Sequence, residues 1–264
     1  MDIVQAIILG IVQGLTEFLP VSSSGHLVII KELLGLESGE NVVFETVVHA
    51  ATVLSTITIL WKPIVRLISR FFRFQWNPET QYICKILVSM IPVMIVGLFF
   101  KDKVEALFGG GLVFVGCMLL VTALLLASTN FIKYKQRKDI GFGSAFIMGI
   151  AQAIAVLPGI SRSGATISTG LMLGLKKEEV AQFSFLMVLI PILGEAFLGL
   201  IGGEFSASLS GIPTSSLIAG FFAAYLSGLF ACKFMIEMVK RVNLIWFALY
   251  CLIIGITIII VGLW

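Results

Sequence analysis

Charge is scarce in this sequence. Charged residues make up 12% of its 264 residues, against about 25% in an ordinary soluble domain. Hydrophobic residues make up 58%, and the mean hydropathy is +1.07, so the composition excludes a soluble protein. The net charge of +3 does not indicate a nucleic-acid partner, because Lys and Arg in a membrane chain report its topology. We expect an integral membrane protein with no nucleic-acid partner.

Cysteine is also sparse. The four cysteines lie far apart in apolar runs, which favours neither a metal-binding pattern nor a disulfide framework. They are Cys84, Cys117, Cys232 and Cys251. The sequence has no low-complexity tail and no linker, so a single domain is expected over residues 1–264. The N-terminal segment lacks a basic start and is interrupted by Gln13 and Glu17, so we expect it to be retained rather than cleaved as a secretion signal.

What the sequence does contain is an internal repeat. With an offset of 139 residues, five positions of the first copy match the second. They are Ala6, Ile8, Gly10, Ile11 and Gln13 against Ala145, Ile147, Gly149, Ile150 and Gln152. Each copy then breaks its apolar helix at a Pro and a Ser/Gly cluster, at 20–25 and at 158–164. Matching broken segments in the two halves of a membrane chain indicate a binding site near the bilayer midplane.

Six further segments reach the roughly 20 residues that a helix needs to cross a bilayer. They lie at about 41–61, 81–100, 111–131, 179–201, 214–236 and 243–263. The repeats are not read as spans, because their breaks would expose unpaired backbone to lipid. We predict an all-α polytopic membrane protein with six transmembrane helices plus two re-entrant helical hairpins, at 3–34 and 142–175. The hairpins begin two inverted repeats, at about 1–131 and 140–264.

The basic residues support this arrangement, since short cytoplasmic loops carry the excess of Lys and Arg. One face then receives twelve basic residues and is predicted to be cytoplasmic. They are Lys62, Arg66, Arg70, Arg73, Lys133, Lys135, Arg137, Lys138, Lys176, Lys177, Lys240 and Arg241. The other face receives Lys31, Lys101 and Lys103. The hairpins would enter from opposite leaflets and meet near the midplane. The aromatic and basic stretch 62–76 is interpreted as an interface anchor, with regulation by lipid headgroups as the alternative.

The first repeat carries the candidate reactive groups. Gln13 and Glu17 are four residues apart, so they share the helix face that points at the break. Beyond the break, Ser23 is a candidate nucleophile with His26 three residues away. A serine hydroxyl needs a base, and Glu17 or His26 would serve. The start of the new half-helix is a potential anion site, with further donors at Ser22, Ser24 and Gly25. Close helix packing is the alternative explanation of this small-residue cluster.

The second repeat supplies Arg162 beyond its own break. A cation at bilayer depth costs roughly 2.5–3.5 kcal/mol on insertion scales, so it indicates function. A guanidinium also matches two phosphate oxygens in a planar fork, although a structural ion pair with Glu17 is the alternative. The flanking donors are Gly159, Ser161, Ser163 and Gly164. An acid, a hydroxyl, an imidazole and an arginine are suited to phosphoryl transfer. Glu45 and His49 are expected to form an interior hydrogen-bonded pair that lines a polar cavity, with direct catalysis as the alternative.

These motifs resemble those of the bacterial undecaprenyl-diphosphate phosphatases of the bacitracin-resistance type. The segment 13–26 is similar to the first motif of that family, and 157–164 with Thr166 is similar to the second. The resemblance implies removal of the terminal phosphate from a C55 polyprenyl diphosphate at the outer face of the bacterial plasma membrane, which regenerates the lipid carrier of cell-wall synthesis. A polyprenyl-phosphate transporter or flippase on the same inverted repeat is the alternative function.

The resemblance also implies roles for single residues. Arg162 would hold the diphosphate, Ser23 would be the nucleophile, and Glu17 and His26 would have acid/base or metal-related roles. A homodimer and a divalent cation, Mg²⁺ or Ca²⁺, are implied as well, with Glu17 as the candidate ligand. Many members have Glu where this chain has Gln13, so one carboxylate with substrate phosphates is the expected cation site here.

Overall fold

The computed structural model describes residues 1–36, 42–131, 139–201, 211–241 and 243–264, and within these ranges it contains helices and no strand. The first six helices are α1 (Ile3–Phe18), α2 (Ser23–Leu33), α3 (Val42–Ile59), α4 (Trp61–Phe71), α5 (Pro78–Phe99) and α6 (Lys101–Phe108). The next six are α7 (Gly111–Ser128), α8 (Phe142–Ile154), α9 (Arg162–Met172), α10 (Lys177–Ile201), α11 (Thr214–Arg241) and α12 (Ile245–Gly262). The prediction of an all-α membrane protein is confirmed.

Four of these helices are long and apolar enough to cross a membrane. They lie at Pro78–Phe99, Gly111–Phe131, Thr214–Val239 and Ile245–Gly262. A fifth span arises if α3 and α4 are counted together, although the pair is bent by 78°. The chain is therefore a multi-pass membrane protein with four to five candidate spans among its described residues, and the count of six stays a prediction. The predicted loop cations at 133, 135, 137 and 138 lie outside the described residues.

Glycine residues let α1 and α8, the helices that end at the breaks, pack with their backbones in contact with the backbones of neighbouring helices. A Cβ built on Gly10 of α1 would lie 2.4 Å from the carbonyl oxygen of Gly220 in α11. A Cβ on Gly149 of α8, which the repeat matches to Gly10, would lie 2.2 Å from the carbonyl oxygen of Ser89 in α5. Small residues permit this close approach of membrane helices. Each long helix thereby fixes the position of one broken segment.

Both breaks end in the same kind of helix cap. Ser22 precedes α2, and its Oγ accepts a hydrogen bond from the N–H of Gly25 at 3.3 Å. Ser161 precedes α9, and its Oγ accepts from the N–H of Gly164 at 3.0 Å. A serine at this position satisfies one of the free N–H groups of a helix start. The two caps are separated by the same 139 residues as the repeat.

Candidate active site

The two helix breaks touch each other. A Cβ on Gly25 would lie 3.2 Å from the Cα of Gly159, and a Cβ on Gly164 would lie 3.4 Å from the Cβ of Pro20. The hydroxyl of Ser163 also lies 3.3 Å from the carbonyl oxygen of Leu19, to which it donates. The structure therefore brings the starts of α2 and α9 together, although they are distant in the sequence. Two helix N-termini in one place favour the binding of an anion.

A residue with positive φ marks each break, and at Ser22, which is not a glycine, this conformation is strained. Ser22 has a φ of 73° and Gly159 a φ of 99°. A non-glycine residue in this region costs about 1–3 kcal/mol, and such strain concentrates at functional sites. The break at Gly159 is held by Thr122 of α7, whose Oγ1 donates to the carbonyl of Gly159 at 3.0 Å and accepts from the N–H of Ser161 at 3.1 Å. The sequence did not indicate this role of Thr122, because the residue lies inside an ordinary apolar span.

Gly159→Ala is expected to destabilise the protein and displace the start of α9. A Cβ would lie 2.6 Å from both the Cβ of Met118 and the carbonyl oxygen of Val115, and the positive φ alone costs about 1–3 kcal/mol. Thermal unfolding in detergent measures the effect. Gly143→Ala is the matched control, since its Cβ would meet nothing within 4 Å. Equal melting temperatures for the two variants would contradict the prediction.

Glu17 is the centre of the site, with its side chain only 7% exposed. Its Oε2 accepts from the hydroxyl of Ser23 at 2.6 Å and from the side-chain amide of Gln13 at 2.9 Å. Its Oε1 accepts from Nη2 of Arg162 at 3.3 Å. Nε2 of His49 lies 3.7 Å from Oε2. One carboxylate thus joins the hydroxyl of the first repeat to the guanidinium of the second, and it is placed to take the proton of Ser23.

His26 has different partners from those expected. Its Nδ1 lies 2.8 Å from the carbonyl oxygen of Ser22, and because a carbonyl only accepts, Nδ1 carries a proton. Its Nε2 lies 2.8 Å from the hydroxyl of Tyr250 in α12, and the two rings are stacked. Both ring nitrogens thus have partners other than the hydroxyl of Ser23, which donates to Glu17 instead. Tyr250 gave no signal in the sequence, since it lies 224 residues from His26.

Glu45 and His49 are hydrogen-bonded, as expected, but the bond is to the backbone carbonyl of Glu45 and not to its carboxylate. The Glu45 carboxylate bonds the ammonium group of Lys31, and His49 contacts only the backbone carbonyl of Glu45, through Nδ1 at 2.8 Å. The reason is helical geometry, which places a carbonyl four residues back beside a histidine ring and leaves Nε2 directed at Glu17. Lys31 is 3% exposed, so it is a buried partner of Glu45 and not a solvated loop cation.

The remaining predicted binding residues fall into two groups. Ser24 and Ser22 lie together at the start of α2, with their hydroxyls 3.4 Å apart, and Ser161 and Ser163 lie likewise at the start of α9, 3.3 Å apart. These four line the junction of the breaks. Thr166 does not, because its Oγ1 bonds the carbonyl of Arg162 at 2.8 Å and the hydroxyl of Ser184 in α10 at 2.6 Å. Its contacts therefore join α9 to α10.

A cavity of about 20 Å³ adjoins Glu17, which is enough for one water molecule. The residues that line it include Thr52, Thr56 and Ser163. Thr52 and Thr56 donate to backbone carbonyls of α3, so their oxygens can accept from a water. Gln13 does not line this cavity, and its Oε1 is buried without a hydrogen-bond partner among the described residues.

The donor set fits a metal ion only together with a substrate. Among the described residues, no group of three or more His, Cys, Asp and Glu side chains is arranged to hold a metal. Mg²⁺ is commonly bound by one or two carboxylates plus substrate phosphates. Glu17 is the carboxylate at the junction of the breaks, so it would be the protein ligand of a cation that arrives with a diphosphate.

Comparison with known proteins identifies the family of this chain. The family described as bacitracin resistance protein BacA matches residues 6–257. An undecaprenyl-diphosphatase of Bacteroides fragilis is 57% identical over 99% of both chains, and one of Parabacteroides distasonis is 57% identical over 95% of both. One from Methanosphaera stadtmanae is 42% identical over 99% of both. Since the match covers nearly the whole chain, this protein belongs to the BacA family.

Proposed function

We propose that this protein is a membrane phosphatase that hydrolyses undecaprenyl diphosphate to undecaprenyl phosphate and inorganic phosphate. The observation that carries the proposal is the carboxylate of Glu17, which accepts from Ser23 at 2.6 Å and from Arg162 at 3.3 Å. A hydroxyl beside its base and a guanidinium within one site are what phosphoryl transfer requires. The relatives named undecaprenyl-diphosphatase supply the substrate.

In the first step, Ser23 Oγ attacks the terminal phosphorus and Glu17 accepts the hydroxyl proton. The bond between that phosphorus and the bridging oxygen breaks, and the bridging oxygen leaves on undecaprenyl phosphate. Glu17 passes the proton that it took from Ser23 to the departing bridging oxygen and is a carboxylate again. A water then attacks the phosphorus of the phosphoserine and gives a proton to Glu17. The bond from phosphorus to Ser23 Oγ breaks, Glu17 returns the proton to that oxygen, and inorganic phosphate leaves. The cavity beside Glu17 offers room for one water. Direct attack by water, with Ser23 only binding phosphate, uses the same residues and is the alternative.

Arg162 and the two helix starts neutralise the diphosphate. A guanidinium has five N–H donors, so its contact with Glu17 uses only part of its capacity. The N–H groups at the starts of α2 and α9 add further donors, and helix dipoles favour the anion there. His26 is held by the Ser22 carbonyl and the Tyr250 hydroxyl, so we assign it to orienting the first helix start and substrate, not to activating Ser23. A divalent cation bound with the diphosphate would add charge neutralisation.

We further propose six transmembrane helices with two re-entrant hairpins in inverted repeats, in the bacterial plasma membrane. The helix α10, with 25 residues, would be the sixth span, beside α3 and the four listed above. The matching caps at Ser22 and Ser161 support the repeat. The distribution of Lys and Arg supports a site that opens to the outer face. A homodimer is proposed from the family resemblance.

Phosphate release by the purified protein tests this function. The protein in detergent should release inorganic phosphate from undecaprenyl diphosphate, and a chelator in a parallel sample reports any dependence on divalent cations. The same preparation in liposomes tests the transporter alternative. If labelled polyprenyl phosphate crosses the bilayer while no phosphate is released from the diphosphate, the protein is a flippase and the phosphatase proposal is wrong.

A further inference from the structure

The helix α4 (Trp61–Phe71) leaves the end of α3 at a sharp angle. The axes of Val43–Ile59 and Trp61–Phe71 differ by 78°, with the bend at Leu60. None of the eleven residues of α4 is buried. If α3 runs roughly along the bilayer normal, a helix at this angle runs nearly parallel to the bilayer surface. In that orientation α4 would lie at the interface between the membrane and water, so its sequence should match that interface and not the hydrocarbon core.

The residues of α4 divide into two opposite faces. Apolar side chains recur at the helical period and remain exposed, with Trp61 at 59%, Ile68 at 49% and Phe72 at 65%. Ile64 and Leu67, on the flank of this face, pack against the protein core. The opposite face is basic. It comprises Lys62, Arg66 and Arg70 on α4 and Arg73 just beyond it.

The basic face carries excess charge. The stretch 61–76 contains no Asp or Glu. Arg66 bonds the carboxylate of Glu79, with Nε at 2.8 Å and Nη2 at 2.7 Å. Glu79 therefore offsets part of the charge of a face that carries four cationic side chains. The exposed aromatic residues Phe74 and Trp76 follow directly, and such residues are enriched at the headgroup level of membranes.

We propose that α4 lies in the plane of the membrane and that its basic face binds anionic phospholipid headgroups through Lys62, Arg70 and Arg73. A helix with aromatic and aliphatic residues on one face and Lys and Arg on the other binds membranes by this combination of apolar burial and electrostatic attraction. The partner is a phospholipid of the bilayer, because α4 directly follows α3, which is proposed above as a span, and its exposed apolar face needs acyl chains beside it. The proposal does not depend on the reaction at Glu17.

Quenching of Trp61 fluorescence by brominated lipids tests this site in the full-length protein. The background variant replaces Trp76, Trp246 and Trp264 by Phe, so that Trp61 is the only tryptophan. The protein is reconstituted in vesicles of phosphatidylcholine and phosphatidylglycerol, with bromine on the chains of one lipid or of the other. At equal mole fractions, brominated phosphatidylglycerol should quench Trp61 more strongly, because each basic residue near an anionic surface strengthens association by about fivefold.

The triple variant Lys62→Gln, Arg70→Gln and Arg73→Gln should lose this preference, so that the two brominated lipids quench Trp61 equally. The control removes the same charge elsewhere, with Lys85→Gln, Lys103→Gln and Lys233→Gln, and should keep the preference. Retained phosphate release in both variants shows that they are folded. The proposal fails if Trp61 is unquenched by either lipid, if the background variant has no preference, if the triple variant keeps it, or if the control loses it equally.

Discussion

Ser23→Ala is expected to lower phosphate release from undecaprenyl diphosphate by about 10³-fold or more, because loss of a nucleophile removes the covalent route entirely. The Ser23 hydroxyl is the group that donates to Glu17, at 2.6 Å, so no other hydroxyl is equally placed to transfer its proton to that carboxylate among the described residues. The measurement is kcat/KM with purified protein in detergent.

Ser24→Ala is the matched control for this prediction. Ser24 is the next residue, but its hydroxyl contacts that of Ser22 at 3.4 Å and not Glu17, so a loss of at most about tenfold is expected from one neutral hydrogen bond. Substrate labelled in its terminal phosphate should also label the protein, and mass spectrometry should place the phosphate on Ser23. If Ser23→Ala retains activity while Glu17→Gln abolishes it, water attacks directly and Ser23 only binds substrate.

The helix breaks and their chemistry follow from local sequence. Gln13 and Glu17 share a helix face, as predicted from their spacing, and are hydrogen-bonded at 2.9 Å. The Pro and Ser/Gly clusters end α1 and α8 and provide the serine caps of α2 and α9. These features depend on helical periodicity and capping, which act over a few residues. The sequence predicted the shared face, the breaks and the new helix starts, although not the serine caps themselves, and the repeat offset predicted that the two breaks correspond.

The partners from distant segments could not be predicted. His26 meets Tyr250, and Thr122 bridges the break at Gly159 and Ser161. Tyr250 and Thr122 lie within apolar spans, where a single polar residue has no periodicity that marks it. Their contacts depend on how α7 and α12 pack against the residues at the starts of α2 and α9, which is a tertiary property. His49 was noticed, but its approach to Glu17 depends on the same kind of helix packing.

The bend after α3 is a further feature that could not be predicted from the sequence. The sequence predicted a span at 41–61 followed by a basic interface stretch, and the structure has the α3 helix end at Ile59 and α4 begin at Trp61. Hydropathy alone does not give the angle, because the apolar pattern continues across Leu60. The change from a uniformly apolar segment to one with a basic face is what distinguishes α4 from a continued span.

Arg162→Ala is expected to reduce kcat/KM by about 10³-fold or more, as for other arginines that stabilise charge during phosphoryl transfer. Arg162→Lys should recover only part of the activity, because a lysine keeps the charge but lacks the planar fork that matches two phosphate oxygens. Arg66→Ala is the control. It breaks the ion pair with Glu79, away from the site, and should leave phosphate release unchanged.

If Arg162 only formed a structural ion pair with Glu17, Arg162→Ala would cause a similar loss of activity. Substrate binding by Arg162 and structural pairing with Glu17 are therefore distinguished in a Glu17→Gln background. There the ion pair is already removed, and binding of undecaprenyl diphosphate is measured instead of turnover. If Arg162 holds the diphosphate, adding Arg162→Ala weakens binding about as strongly as it does in the unaltered protein. If Arg162 serves only to pair with Glu17, the added substitution changes nothing, since energies of interacting residues are not additive. Unchanged binding in that background would therefore assign the guanidinium to structure and leave the helix starts as the diphosphate site.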